Sequence, residues 1–385
     1  MKHRVILALA LLLAACASAP PPQPQRIHAL YHDELFTPPA QRVDAADVFA
    51  LSDEMRAYLK GDIARMMRAK GSQHGLFEAL YDKGLLKLEY DAAKTRNASQ
   101  AFAARAGNCL SLVIMTAAFA KELGMPVHYQ HVFVDETWSR SGDFYLSIGH
   151  VNLSLGRRLH EYSPNELTMT IDFLPPQDLR SLRTWVLDES TIVAMYMNNR
   201  AVEQLTSGEV DDAYWWAREA IRQDPRFLSA FNTLGVIYQM HGHLAYAQQA
   251  LEYVLEREPA NTRAMSNLAS VLALRGQATA AADLRRKLEQ MEPNPPFGYY
   301  KRGVAAMKDG DYKLAKEMFA KEVDRAAYYH EFHFWLALAY MGLGDTEHAR
   351  EHLAIAVDNS TTRKDHDLYA AKLERLRAYG PVIRR

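Results

Sequence analysis

Cysteine is scarce in this chain: Cys16 and Cys109 are the only two in 385 residues, too few for a framework of disulfides. An excess of charge of either sign is missing as well. With 45 Lys and Arg against 46 Asp and Glu, the formal charge is −1, which gives no electrostatic footprint for nucleic acid. No apolar run reaches the ~20 residues that a membrane-spanning helix needs. What is present is ordinary for a folded protein: 49% hydrophobic and 24% charged residues, in a length that suggests two or three domains.

The first residues read as a targeting segment. Lys2 and Arg4 precede an apolar stretch from Val5 to Ala15, which runs into Leu13-Ala14-Ala15-Cys16. That ending resembles the lipobox of bacterial lipoproteins. The resemblance implies that residues 1–16 are a signal peptide with its lipobox, and that Cys16 is the lipidated first residue of the mature chain. Ala17, rather than Asp, implies sorting to the outer membrane, with the protein facing the periplasm. The bland alternative is a secretory peptide with a chance cysteine. Residues 17–26, ASAPPPQPQR, form a Pro-rich extended spacer. In an exported chain of this kind Cys109 is a lone thiol without an intramolecular partner. By itself that suits a small buried hydrophobe.

Its surroundings argue for more. Residues 105–126, RAGNCLSLVIMTAAFAKELGMP, read as a loop, one buried helix and a stop. Asn108 is a suitable N-cap, the residues from Leu110 to Ala120 are apolar or small on nearly every side, Gly124 caps the C-terminus and Pro126 prevents continuation. Cys109 thus falls at the N-terminus of a central helix, where free N–H groups and the dipole favour a thiolate. The preceding stretch reads as helical scaffold, with helices over 43–69, 74–85 and 97–107.

After Pro126 the pattern changes to period 2, with strands expected over 127–134, 143–156 and 166–176. These suggest an antiparallel sheet packed on the central helix. A hairpin centred near Glu161 sets His150 opposite Asp172, on one face of the sheet. Cys109, His150 and Asp172 then supply a nucleophile, a proton shuttle and a group that orients the imidazole, with backbone N–H groups at the helix start to hold an oxyanion. Residues 175–190 read as a connector with a helix.

The GNC…LGMPV segment, followed by His in GHVNL and Asp in TIDFLP, resembles the transglutaminase-like superfamily, which is papain-related in its chemistry. The match covers roughly residues 97–176. It implies an α+β, cysteine-protease-like domain with Cys109, His150 and Asp172 as the catalytic residues, in the chain order of that family. Val151 stands where the family often has an aromatic residue after its His. Gln130 can aid an oxyanion hole but reads more simply as a solvent-facing strand residue, and His128 and His131 as ordinary strand residues.

From Ala194 the chain repeats every 34 residues, with units starting at 194, 228, 262, 296 and 330. Position 20 is Ala in all five: Ala213, Ala247, Ala281, Ala315 and Ala349. In the second unit Phe231, Leu234, Gly235, Tyr238, Leu251 and Pro259 complete the pattern. These residues match the tetratricopeptide repeat, so an all-α solenoid follows the α+β domain, with residues 364–378 as a capping helix. The domain reading is therefore a thiol domain over 27–190, five repeats over 191–361 and a cap with tail over 362–385. The resemblance implies a protein or peptide partner on the concave face, lined by Asn198, Asn232, Tyr300, Met307, Phe334 and Met341. An array packed only on its own N-terminal domain is the alternative.

HAREH, residues 348–352, matches the inverted zinc-peptidase signature, but Ala349 is the packing residue of repeat five and no third ligand is evident. His241-Gly242-His243 sits in a turn. Neither metal nor cofactor is expected. The reading is a lipid-anchored, thiol-dependent acyl-transfer enzyme, by default hydrolysing an amide or ester and otherwise transferring the acyl group to an amine. The alternative is a non-catalytic repeat scaffold with a relic thiol domain.

Overall fold

The computed structural model describes residues 24–81, 86, 88–91, 94–132, 138–141, 144–147, 150–157, 167–173, 183–295, 297–360 and 362–378. The expected leader, Cys16, most of the spacer and the turn near Glu161 lie outside the described residues. The end of the spacer opens a short helix, Pro24–His28. No helix among the described residues is long and apolar enough to cross a membrane. The chain divides into two units, the segment up to Ala45 with Val193–Pro293, and Ala46–Ile192 with Asn294–Arg385.

In Ala46–Ile192 the helix expected over 43–69 is broken. It starts at Asp53, capped by Ser52, passes through one π turn at Leu59–Ile63 and resumes over Ala64–Lys70. Gly71 ends it with φ 83°. Helices α1 (Ser72–Tyr81) and α2 (Ala98–Ala104) follow; α2 opens with a capping box between Asn97 and Gln100. Helix α3 (Cys109–Glu122) is buried from Cys109 to Ala120. Its Val113, Ile114, Met115 and Phe119 have no exposed surface, each worth roughly 1.5–3 kcal/mol relative to exposure. Gly124 (φ 69°) and the bond from Met125 N–H to the Ala120 carbonyl terminate it, as the sequence predicts.

The sheet has four antiparallel strands in the order β3-β2-β1-β4, from β1 (Val127–Val132), β2 (His150–Arg157), β3 (Leu167–Ile171) and β4 (Thr184–Leu187). Helix α3 packs against β1 and β2. Two expectations need correction. The strand predicted over 143–156 is two segments, because Phe144–Ser147 pairs with Trp138–Ser141 in a separate hairpin. The supposed connector supplies an edge strand, β4, whose Trp185 and Val186 stay exposed. A strand with a wet outer side carries too little apolar patterning to be read from sequence.

The repeat helices are α4 (Glu189–Thr206), α5 (Val210–Gln223), α6 (Leu228–Met240), α7 (Leu244–Arg257), α8 (Thr262–Leu274) and α9 (Ala278–Met291), then α10 (Gly298–Lys308), α11 (Tyr312–Arg325), α12 (His330–Gly342), α13 (Thr346–Asp358) and α14 (Arg363–Ala378). All five position-20 alanines are fully buried. A second periodicity, unread in the sequence, fixes the turns. Gly208, Gly242, Gly276, Gly310 and Gly344 recur at the same 34-residue interval with φ between 75° and 86°. In each turn the glycine N–H bonds back three residues and the next N–H bonds back five, as Gly242 does to Gln239 and His243 to Tyr238. A side chain at such a φ is strained even where space is open, as it is at Gly242. Gly242→Ala is therefore expected to lower stability by about 1–2 kcal/mol in urea melts, and Gly242→Asn by less.

Two residues assigned to the partner face lie elsewhere. Tyr300 packs in a cluster with Phe297, Phe319 and Phe332, and Phe334 stacks on Tyr369 of the capping helix α14. Large rings there fill the space between neighbouring helices. Asn198 is also buried, Asn232 bonds Asn267, and Met341 alone of the six is well exposed.

The HAREH histidines serve this packing. His348 bonds Asp345, and Tyr340 stacks on both His348 and His352. His333 donates from Nε2 to the Ala327 carbonyl (2.8 Å), so its Nδ1 accepts from His352 Nδ1 at 3.0 Å. Burial lowers the pKa of His330, His333 and His352 below 6.5. The unfolded chain therefore binds more protons than the folded one just below pH 6.5, and stability falls there as pH falls. Melting temperature is expected to decline between pH 7 and 5, less steeply in His352→Leu.

Candidate functional site

The site grows from the entry to α3. Arg105 takes a left-handed conformation (φ 50°), and Ala106–Gly107 pair in parallel with Glu89–Tyr90. A Cβ at Gly107 would lie 2.7 Å from Ser111 Cβ, so only glycine fits this approach. Asn108 Oδ1 then accepts from Ser111 N–H (2.9 Å) and from its hydroxyl (2.8 Å), while Asn108 Nδ2 donates to Thr95 Oγ1 (3.0 Å). Ser111 Oγ in turn accepts from Arg96 N–H at 2.8 Å. Asn108 is thus the cap expected of it, and these bonds set the position of Cys109. The N–H groups of Cys109 and Leu110 belong to the first turn, which has no acceptor within the helix.

Strand alternation places His150, Asn152 and Ser154 on one face of β2, and Val151, Leu153 and Leu155 on the other. The register pairs Leu153 with Ile171, which sets Asp172 across from Asn152 rather than from His150. The offset is two residues from the expected hairpin, so the face is preserved. His150 Nε2 donates to Asp172 Oδ1 at 2.6 Å, and Asn152 Nδ2 donates to Asp172 Oδ2 at 2.9 Å. Asn152 is the residue that the sequence reading missed; its signal was the His-x-Asn spacing, which on a strand shares a face.

Cys109 lies beside His150, close enough for the two side chains to interact electrostatically. With Nε2 turned to Asp172, Nδ1 is the nitrogen left for the thiol. Burial pushes the imidazole pKa down, but the hydrogen bond with Asp172, the neighbouring Cys109 and the charges of both overcome it and raise the value to about 9. A pKa of about 9 keeps His150 protonated near neutral pH, the form in which an imidazole can give a proton to a leaving group. The pocket is closed: Cys109 is 4% exposed, and the side chains of His150 and Asp172 are 2% and 10% exposed.

The neighbouring candidates have other work. Gln130 stands opposite Asn152 on the His150 face and is half-buried. His128 bonds the Gly156 carbonyl, and His131 points to the other face and stacks on Trp185. Among the described residues no group of three His, Cys, Asp or Glu side chains is arranged to hold a metal.

Comparison with solved structures finds a thermophilic tetratricopeptide protein of Thermus thermophilus, 19% identical, covering 47% of this chain and 99% of that one at a TM-score of 0.31. PilF of Pseudomonas aeruginosa is 16% identical, covering 50% and 95% at 0.29, and MamA is 20% identical, covering 45% and 96% at 0.24. No curated protein matches the chain. The tetratricopeptide-repeat family model matches residues 232–295 and 300–363. Together with the 34-residue recurrence of buried alanine and turn glycine, that match identifies the C-terminal part of this chain as an array of tetratricopeptide repeats, a module that binds protein or peptide partners.

Proposed function

We propose that the chain is a repeat-built interaction protein that carries a thiol acyl-transfer site, with Cys109 as nucleophile in a transglutaminase-like domain. The hydrogen bond from His150 to Asp172, with Cys109 beside the imidazole, carries this reading. The Cys109 thiolate adds to an amide or ester carbonyl carbon, and the N–H groups at the start of α3 face the oxyanion. The His150 imidazolium gives its proton to the leaving amine or alcohol as the C–N or C–O bond breaks, leaving a thioester. Water, deprotonated by His150, then releases the carboxylate and restores the thiol; an amine in place of water gives transamidation. Asp172 holds the imidazole in its tautomer and balances its charge. The repeats hold a protein partner or the substrate, and a lipid on Cys16 tethers the whole to the outer membrane.

A non-catalytic assembly scaffold is the second reading. Two observations favour it: the family match reaches the repeats alone, and the Cys109 sulfur is enclosed. Alkylation separates the two. Under the thiol reading, iodoacetamide labels Cys109 at pH 7 at least tenfold faster in the parent than in His150→Ala. Equal, slow labelling in both leaves the scaffold.

A further inference from the structure

Residues 27–40, assigned to the thiol domain by the sequence reading, group instead with the repeat helices of Val193–Pro293, as does the end of the spacer before them. Their manner of attachment is that of a recognised peptide. Between residues 30 and 40 the segment is largely irregular, with one 3₁₀ turn at Asp33–Leu35. Its backbone groups are met by repeat side chains. Tyr238 donates to the Leu30 carbonyl (2.7 Å), Trp215 Nε1 donates to the Thr37 carbonyl (2.6 Å), and the Tyr214 hydroxyl accepts from His32 N–H (3.0 Å). Asp211 accepts from Thr37 N–H, and Asp212 from Ala40 N–H.

Side chains add selectivity. Phe36 stacks on Tyr214 at 3.9 Å, and His32 stacks on Tyr246 at 3.6 Å. Asp33 accepts from the Tyr214 hydroxyl (2.5 Å) and pairs with Arg218 (2.9 Å), whose guanidinium also faces the Tyr31 ring. The receptor residues are particular to repeat one. Where repeat one has Tyr214, Trp215 and Arg218, the next repeat has Gln248, Gln249 and Glu252. The contact also leaves a cavity of about 200 Å³ beside Ile27, Tyr31, Arg218 and Ile221. The site lies mainly on the second helices α5 and α7, apart from the first-helix face reserved above for an outside partner.

We propose that α5–α7 form a second peptide site, filled in cis by residues 27–37, whose ligand class is a short segment with an aromatic, a carboxylate and a second aromatic spaced as Tyr31, Asp33 and Phe36. An outside partner of that chemistry reaches it by displacing the chain's own segment. This rests on the repeat array alone and is independent of the thiol chemistry.

The test uses the full chain with a protease site inserted between Gln41 and Arg42, both exposed. The probe is a fluorescent synthetic peptide of residues 24–40, followed by anisotropy. A tethered segment acts at an effective concentration on the order of millimolar, so micromolar peptide competes poorly with it. After cleavage the chain is expected to take up the peptide about 100-fold more readily than before. Peptides with Asp33→Ala or Phe36→Ala, and a cleaved receptor with Arg218→Ala, lose at least tenfold. Circular dichroism follows the helices throughout. A cleaved chain that exchanges no peptide, or one that loses helix content as the fragment leaves, overturns the proposal and makes the segment an integral cap of repeat one.

Discussion

Under the proposed thiol chemistry, replacing His150 by Ala is expected to slow release of p-nitrophenol from p-nitrophenyl acetate by about 10²–10⁴-fold, the usual range for loss of a positioned acid–base group. Cys109→Ala sets the baseline, since Cys16 is the only other cysteine. Asp172→Asn separates orientation from chemistry. It takes away the charge, and one of the two acceptor oxygens, that hold the imidazole above its ordinary value. Burial then acts with less opposition, and the His150 pKa falls from about 9. The alkaline limb of the parent's pH–rate profile is expected near pH 9 and moves to lower pH in Asp172→Asn. Stability shifts with the same sign. A pKa raised on folding contributes fully below the unfolded value of 6.5 and is lost as pH rises through about 9. The stability gap between parent and Asp172→Asn should therefore be widest near pH 6 and narrow above pH 9. A profile that leaves the limb in place would separate Asp172 from the titration of His150.

The largest loss of stability is expected where two repeat helices touch without a spacer. Position 8 of each unit carries only Ala or Gly: Ala201, Gly235, Ala269, Gly303 and Ala337. At Gly303 a Cβ would stand 2.6 Å from Phe319 Cε1 and 2.8 Å from its Cζ. The Phe319 ring is fully buried between Tyr300 and Trp335 and has little room to yield. Gly303→Ala is expected to cost about 1–3 kcal/mol through overpacking. Phe319→Ala, which opens a cavity instead, is expected to cost about 3–5 kcal/mol. The double variant should cost less than the two singles together, because the new methyl occupies space that the ring has vacated. Urea melts of the four chains measure this, and strict additivity would show that the two residues do not share one contact.

Much of the molecule was legible in the chain, and unevenly so. Repeat period and phase were clear because each unit buries the same faces, so Ala213 and its four counterparts recur at one interval. The turn glycines are equally periodic, and their positive φ values give the reason that they recur. Helix α3 could be read end to end, since its cap, its apolar body and its stop all lie between Asn108 and Pro126. Strand β4 and the hairpin at 138–147 could not. Both depend on pairing choices among short segments of similar propensity, and propensity does not rank partners.

The sequence by itself determined which residues are buried in helices, where helices begin and end, and which chemistry-bearing side chains exist, because caps, turn residues and apolar periodicity act over a few positions. Tertiary structure decided the rest. It slid the β2–β3 register by two residues, brought Asn152 to the second oxygen of Asp172, enclosed Cys109, and laid residues 24–40 along helices some 180 positions away. Those outcomes turn on contacts between distant segments, whose free energies no local pattern encodes.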